Sequence, residues 1–155
     1  MILYHASNMA VESPEIRRTV YAKDFGCGFY CTANHSQAER WARRDRNLAS
    51  IVNHYSYEIV PGLAMKKFPV MTDEWLDFIA ACRGGKDHDW DIVEGPMAND
   101  TIWNYVNDFV SGAISREAFW ALSKFRHPTH QICFHTPAAL RSIKFLEAEE
   151  LPRQS

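Results

Sequence analysis

Apolar positions in this chain fall into short runs with two spacings, and the spacing of each run predicts its element. Ile2 to Ala6 reads as a short strand at the N-terminus. Residues 8 to 24 read as irregular chain, with Pro14 and the basic pair Arg17 and Arg18. Gly26 and Gly28 bracket a turn that runs into a strand from Phe29 to Thr32. From about Ser36 to Leu48, Ala38, Trp41 and Ala42 lie on one face of a helix, and Glu39, Arg40, Arg43, Arg44 and Arg46 on another. Ile51 to Val60 alternates as a strand does, Pro61-Gly62 turns the chain, and Leu63 to Phe68 forms another short strand. Thr72 caps a helix that carries Asp73 and Glu74 in its first turn and ends at Gly84-Gly85. Trp90 to Val93 is a short apolar strand. Helices follow from Asn99 or Asp100 to about Gly112 and from Ser115 to about Phe125. Gln131 to His135 is a core strand, Thr136-Pro137 opens a short helix, and Ile143 to Leu146 forms a closing strand. The strands are separated by helices of uneven length with no regular strand–helix–strand beat. That favours an α+β domain over a doubly wound sheet.

The length of 155 residues fits one domain, over residues 1–150, with Leu151 to Ser155 as a disordered tail. A hydrophobic fraction of 46% supplies a core without metal or disulfide staples. Lys and Arg number 17 against 19 Asp and Glu, a formal charge of −2. This excludes a surface coated in positive charge that would attract nucleic acid in bulk, while leaving room for a local basic patch. No apolar run approaches the roughly 20 residues of a membrane span, so no membrane partner is expected. The start, Met1-Ile2-Leu3-Tyr4-His5, lacks the charged region and cleavage site of a signal peptide, and a cytoplasmic location is expected. Cys27 and Cys31 have three residues between them, and neither Cys82 nor Cys133 completes a second pair. The spacing does not suit zinc, no metal site is expected, and the thiols read as free and mostly buried in a reducing compartment. Aromatic residues make up 13% of the chain, more than a core strictly needs, and also suit a site that holds flat rings.

Local motifs for phosphate-loop, serine or helical His-x-x-x-His metal chemistry are absent, and Gly26-Cys27-Gly28 is only half of a dinucleotide fingerprint. Three segments remain: Leu3-Tyr4-His5-Ala6-Ser7-Asn8; Asp24 to Thr32 followed by Ser36-Gln37-Ala38-Glu39-Arg40-Trp41-Ala42; and Gln131-Ile132-Cys133-Phe134. Each sets a polar or aromatic residue on or beside a short strand. Glycines let a backbone approach a ligand closely. Tyr30 and Trp41 can hold a flat ring from two sides, and His5 can bond a sugar hydroxyl. The ordinary readings are a structural histidine, two core aromatics and a strand-edge glutamine bonding backbone.

In order and spacing the three segments resemble the motifs of the ADP-ribosyltransferase superfamily, in the His-Tyr-Glu branch that includes diphtheria-type toxins and the poly-ADP-ribose polymerases. The group they most resemble is the bacterial domain-of-unknown-function 3990 family. The stretch from Asp87-His88-Asp89-Trp90-Asp91 through Glu94-Gly95-Pro96 to Asp100 also resembles that group, as do Gln131 to Thr136, Ala139-Leu140 and Lys144-Phe145. The resemblance spans residues 2 to 148. It implies a split β-sandwich of two small sheets with peripheral helices and a cleft that takes NAD as substrate. By this likeness His5 bonds the ribose of the adenosine half, the backbone of Ala6 grips the nicotinamide carboxamide, and Ser7 and Gly28 also bind the dinucleotide. Tyr30 stacks on nicotinamide, Trp41 closes the other face, and Gln131 stands at the position of the catalytic glutamate.

Two positions depart from the family pattern. Ala6 replaces a glycine, and Gln131 replaces the glutamate that helps stabilise positive charge on the ribose as nicotinamide leaves. Glutamine keeps the hydrogen bond and loses the charge, which disfavours polymer formation more than single transfer. Asp89, Asp91 and Glu94 flank a buried strand; they read as solvated loop acids, with the alternative that one supplies the missing carboxylate. The arginines from Arg40 to Arg46 read as a solvated helix face that can also steer phosphates. The expected activity is mono-ADP-ribosyl transfer to a protein or nucleic-acid acceptor, in the setting of a toxin with a cognate antitoxin or of phage defence. The alternatives are an NAD glycohydrolase and a module that binds NAD or ADP-ribose without turnover.

Overall fold

Ile132-Cys133-Phe134 is apolar at every position, which a strand can be only when both of its faces are covered. The computed structural model describes residues 1–18, 23–98, 100–124, 126 and 128–153, and shows both faces covered. Among these residues the chain runs β1 (Ile2–Ser7), β2 (Phe29–Cys31), α1 (His35–Ala42), β3 (Ile51–Tyr57), β4 (Met65–Lys67) and α2 (Asp73–Arg83). It continues β5 (Ile92–Pro96), α3 (Asp100–Val110), α4 (Arg116–Ser123), β6 (His130–Phe134), α5 (Pro137–Leu140) and β7 (Ile143–Glu150). The fold is α+β, with two small sheets. The first, in order β1-β3-β7, is antiparallel throughout; the second, β2-β6-β5-β4, is antiparallel except where β4 runs parallel to β5.

Alternate residues of the strands feed different layers. Leu3, Phe29, Cys31, Tyr55, Ile92, Ile132 and Phe134 fill the space between the sheets. On the other face of the second sheet, Val93 and Cys133 meet Trp75, Leu76 and Ile79 of α2, Ile102 and Val106 of α3, and Phe119 of α4. Ala38 and Ala42 of α1 close over Val52 and Leu151 on the outer face of the first sheet. The sheets are joined where Tyr4 and Thr32 exchange both backbone hydrogen bonds, at 2.8 and 2.9 Å. Buried Asn53 holds the irregular segment after β1 in place, accepting from the Val11 N–H at 2.9 Å and donating to the Met9 carbonyl.

The local start signals work as read: Thr72, Ser115 and Thr136 each accept a backbone N–H three residues on. The differences are mostly at element ends. Helix α1 begins after an Asn34 cap and stops at Ala42, not Leu48, because Asp45 accepts from the Asn47 N–H at 2.9 Å and turns the chain. Strand β3 ends at Tyr57 and β4 covers only Met65–Lys67. Strand β5 is shifted to Ile92–Pro96, since Gly95 and Pro96 keep pairing with Gln131 and His130. Strand β7 continues past Leu146 to Glu150 because β3 offers it a ladder that local hydrophobicity does not reveal. Leu151, assigned to the tail by pattern, is buried and donates to the Ser50 carbonyl at 2.8 Å. Asn99, Phe125, Gln154 and Ser155 lie outside the described residues.

The two glycines before β2 do different work. Gly26 has φ 88° and makes the turn. A Cβ on Gly28 would stand 2.4 Å from Cys133 Sγ and 2.7 Å from the Phe134 carbonyl oxygen, so β6 itself requires glycine there. Gly28→Ala is therefore expected to destabilise the fold by about 1–3 kcal/mol through overpacking. Gly26→Ala, which meets open space, is expected to cost about 1–2 kcal/mol from backbone strain alone. Urea unfolding of both variants checks this; a smaller residue at Cys133 should relieve Gly28→Ala only in part, because the Phe134 carbonyl stays in place, and should not relieve Gly26→Ala.

Candidate functional site

Where β1, β2 and β6 come together, the end of α1 and the start of α3 wall off a cleft of about 720 Å³. That volume is in the range of small-molecule and cofactor sites. His5 and Ala6 line it from β1, Tyr30 from β2, Gln131 from β6, and Trp41 from α1. Lys23 and Asp24 come from the turn before β2, Arg44 from the turn after α1, and Met97, Ala98 and Trp103 from the segment leading into α3 and from α3 itself.

His5 stacks on Phe29 with ring centroids 4.0 Å apart. Its Nδ1 lies 2.6 Å from the Tyr30 carbonyl oxygen. A carbonyl only accepts, so Nδ1 carries the proton and Nε2 is an acceptor with no partner among the described residues. Burial pushes the His5 pKa down to about 4, against the opposing pull of the Tyr30 carbonyl and with a smaller push from Lys23. The ring is thus neutral across the ordinary pH range.

The Tyr30 hydroxyl accepts from the Phe25 N–H at 3.1 Å and donates to the Gly26 carbonyl. Burial drives its pKa well above the usual phenol value. The hydroxyl is a latch that holds the turn against β2, and the ring is the part left for a ligand. Lys23 Nζ lies 5.1 Å from the centroid of that ring.

Behind these residues sits Asp24, only 6% exposed. One carboxylate oxygen pairs with Arg83; the other accepts from the Ala98 N–H at 2.8 Å and from Gln131 Nε2 at 3.1 Å. The Arg83 guanidinium lies 3.1 Å from the centroid of the Trp103 ring and donates to Asn107 Oδ1 at 2.9 Å. Burial lowers the Arg83 pKa, and Asp24 opposes that shift. Because a carboxylate only accepts, Gln131 must turn its amide nitrogen toward Asp24. Its Oε1 then remains an acceptor with no protein partner among the described residues.

Five of the residues singled out in the sequence, His5, Ala6, Tyr30, Trp41 and Gln131, thus meet in one cleft. Ser7 and Gly28 do not line it: Ser7 Oγ accepts from the Met9 N–H at 3.4 Å, and Gly28 is committed to packing on β6. Of the arginine group only Arg44 reaches the cleft, while Arg40 donates to Gln37 and Arg43 to Glu39. The acids weighed as substitutes for a carboxylate at Gln131 are elsewhere. Asp91 holds the Ala64 N–H and the Thr136 hydroxyl, Glu94 pairs with Lys67, and Asp89 is exposed. The carboxylate beside Gln131 is Asp24, whose partner Arg83 lies far along the chain and gives no local signal.

The fold and the cleft together define a small α+β protein with an aromatic-walled cleft that carries a few polar groups. The family model described as Protein of unknown function (DUF3990) matches residues 1–145, and the chain belongs to that family. No curated protein matches the chain. Among the described residues no helix is long and apolar enough to cross a membrane.

Two outcomes are expected from the buried charges. His5 and His135 both have pKa values of about 4 in the folded chain against 6.5 as the ordinary value. Above pH 6.5 neither state binds these protons and stability is full. As pH falls from 6.5 toward 4 the unfolded chain binds protons that the folded one refuses, and stability is lost. Tm measured against pH should be flat above about 6.5 and fall below it, with a shallower fall in His135→Asn. Asp24→Ala strands the Arg83 charge and is expected to cost about 3–5 kcal/mol in urea unfolding; an effect below 1 kcal/mol would show that the pair holds nothing together.

Proposed function

We propose that the cleft binds NAD and that the protein is a mono-ADP-ribosyltransferase of the ADP-ribosyltransferase superfamily. The observation that carries this reading is the convergence of His5, Tyr30, Trp41 and Gln131, from four separate elements, on one cleft. These are the residues whose order and spacing resemble the superfamily's three motifs. The neutral His5 Nε2 accepts from a hydroxyl of the adenosine-side ribose. The Ala6 backbone meets the nicotinamide carboxamide, and the ring lies between Tyr30 and Trp41. Lys23 and Arg44 bring positive charge to the cleft, which suits the pyrophosphate.

Gln131 Oε1 accepts from the 2′-hydroxyl of the nicotinamide-side ribose. Its amide is polarised by donating to Asp24, so the acceptor oxygen carries more negative charge than an isolated amide would. The glycosidic C–N bond breaks with its electron pair leaving on nicotinamide, and the acceptor nucleophile bonds the ribose carbon and gives up its proton. By the same resemblance we assign the protein to the bacterial cytoplasm, as a toxin held by a cognate antitoxin or as part of phage defence.

A second reading is binding without turnover. It is favoured by the pairing of Asp24 with Arg83, which leaves the one cleft-lining carboxylate among the described residues charge-compensated.

Incubation with labelled NAD and a cell lysate, followed by separation of protein and nucleic acid, tests transfer. Label on either fraction with release of nicotinamide is expected. Tyr30→Ala should abolish the signal, and His5→Ala should lower NAD affinity. Gln131→Glu should raise the rate of nicotinamide release. Free ADP-ribose as the main product would make the protein a glycohydrolase. Tight NAD binding with no nicotinamide released would select the second reading, and no binding at all would end both.

A further inference from the structure

On the face of the first sheet opposite His5, three residues from distant parts of the chain meet at their polar ends. They are His35, the first residue of α1, His54 of β3, and Glu149 near the end of β7. Glu149 Oε1 lies 2.7 Å from His35 Nε2 and 3.0 Å from His54 Nε2. One potential ligand atom from each residue lies within 4.8 Å of the others. Ligand atoms around a tetrahedral zinc ion stand roughly 3.3 Å apart, given bonds of about 2.0–2.2 Å. The two separations from Glu149 Oε1 are a few tenths of an ångström shorter than that, and widening them makes room for an ion beside the three atoms.

The outer nitrogens carry a second and separate observation. His35 Nδ1 lies 2.8 Å from Glu39 Oε1, and His54 Nδ1 lies 3.7 Å from Glu147 Oε1. Both nitrogens of both rings therefore face carboxylates. A neutral imidazole has one N–H, so in each ring one nitrogen would present a lone pair to an anion. A second proton on each ring removes that conflict, and so does one cation shared by the three inner atoms. Each Nε2 and the Glu149 oxygen become ligands, and each Nδ1–H donates outward to its carboxylate. That is the carboxylate–histidine–metal arrangement by which protein sites orient imidazole ligands. Tyr4 sets its ring at right angles to both imidazoles, with centroids 4.9 Å away in each case, and limits their rotation. The side chains of His35, His54 and Glu149 are 31%, 15% and 36% exposed, which leaves a way in and room for a water as fourth ligand.

We propose that His35, His54 and Glu149 form a Zn²⁺ site, with Glu39 and Glu147 as the carboxylates that orient its histidines. Two imidazoles and one carboxylate suit zinc and its neighbours among the transition metals, and not magnesium. The ion would tie the start of α1 to β3 and β7. The site shares no residue with the NAD cleft and stands or falls apart from it.

The test uses the full chain, stripped with a chelator and titrated with Zn²⁺ by calorimetry and thermal melting, and with Co²⁺ by visible absorption. One ion per chain, a rise in Tm and the absorption of low-coordinate cobalt are expected, with no effect of Mg²⁺. His54→Ala and Glu149→Gln should each abolish binding, and Glu39→Gln should weaken it by about 10–100-fold. A wild-type chain that gives no heat, no change in Tm and no cobalt absorption overturns the proposal, and that result needs no variant to fold. Binding that survives undiminished in His54→Ala and Glu149→Gln also overturns it.

Discussion

A carboxylate taken out of water must find compensation or lose its charge, and the position of Asp24 is set by that requirement. Its partners come from three places, the end of α2, the backbone after β5, and β6, and through Arg83 and Trp103 the pair also reaches α3. The second sheet and its helical layer are thus locked together at the point where the cleft opens. Such a pair adds little net stability by itself, because both ions were well solvated in the unfolded chain. Its effect is to make one arrangement of these elements much better than its neighbours. The orientation of Gln131 follows directly, since only its amide nitrogen can face the carboxylate.

Legibility in the sequence follows the range of the interactions. Caps and turns are local, and Thr72, Ser115, Thr136 and Gly26 can be read from a few neighbouring residues. The continuous apolar run of β6 also signals burial on both faces. The acidic half of β7 has no such signal, because its strand character is supplied by β3 and by histidines on other elements. The cleft divides in the same way. His5, Tyr30, Trp41 and Gln131 stand in segments whose order is recognisable. Asp24 is defined by Arg83, and their pairing exists only once α2 has packed on the second sheet. Gly28 carries the opposite lesson: a glycine beside a candidate site was needed by the neighbouring strand, not by a ligand.

The alternation of one strand separates two chemistries. In β1, Tyr4 faces α1 and the histidine–glutamate cluster, while His5 faces the cleft and Phe29. A shift of one residue in the pairing of β1 with β3 would exchange them. The pairing of His5 with Asn53 and of Tyr4 with His54 is therefore a condition for both sites at once.

The bridge between Tyr4 and Thr32 has a mechanical consequence. Its two backbone bonds lie one residue from His5 on one strand and two from Tyr30 on the other. The jaws of the cleft are therefore fused close to the bite. A hinge in a loop could swing them apart, but a fused seam yields only by breaking backbone bonds. The gauge of the opening between β1 and β2 is therefore set by backbone pairing, and a side-chain substitution in the cleft changes its lining without changing that gauge.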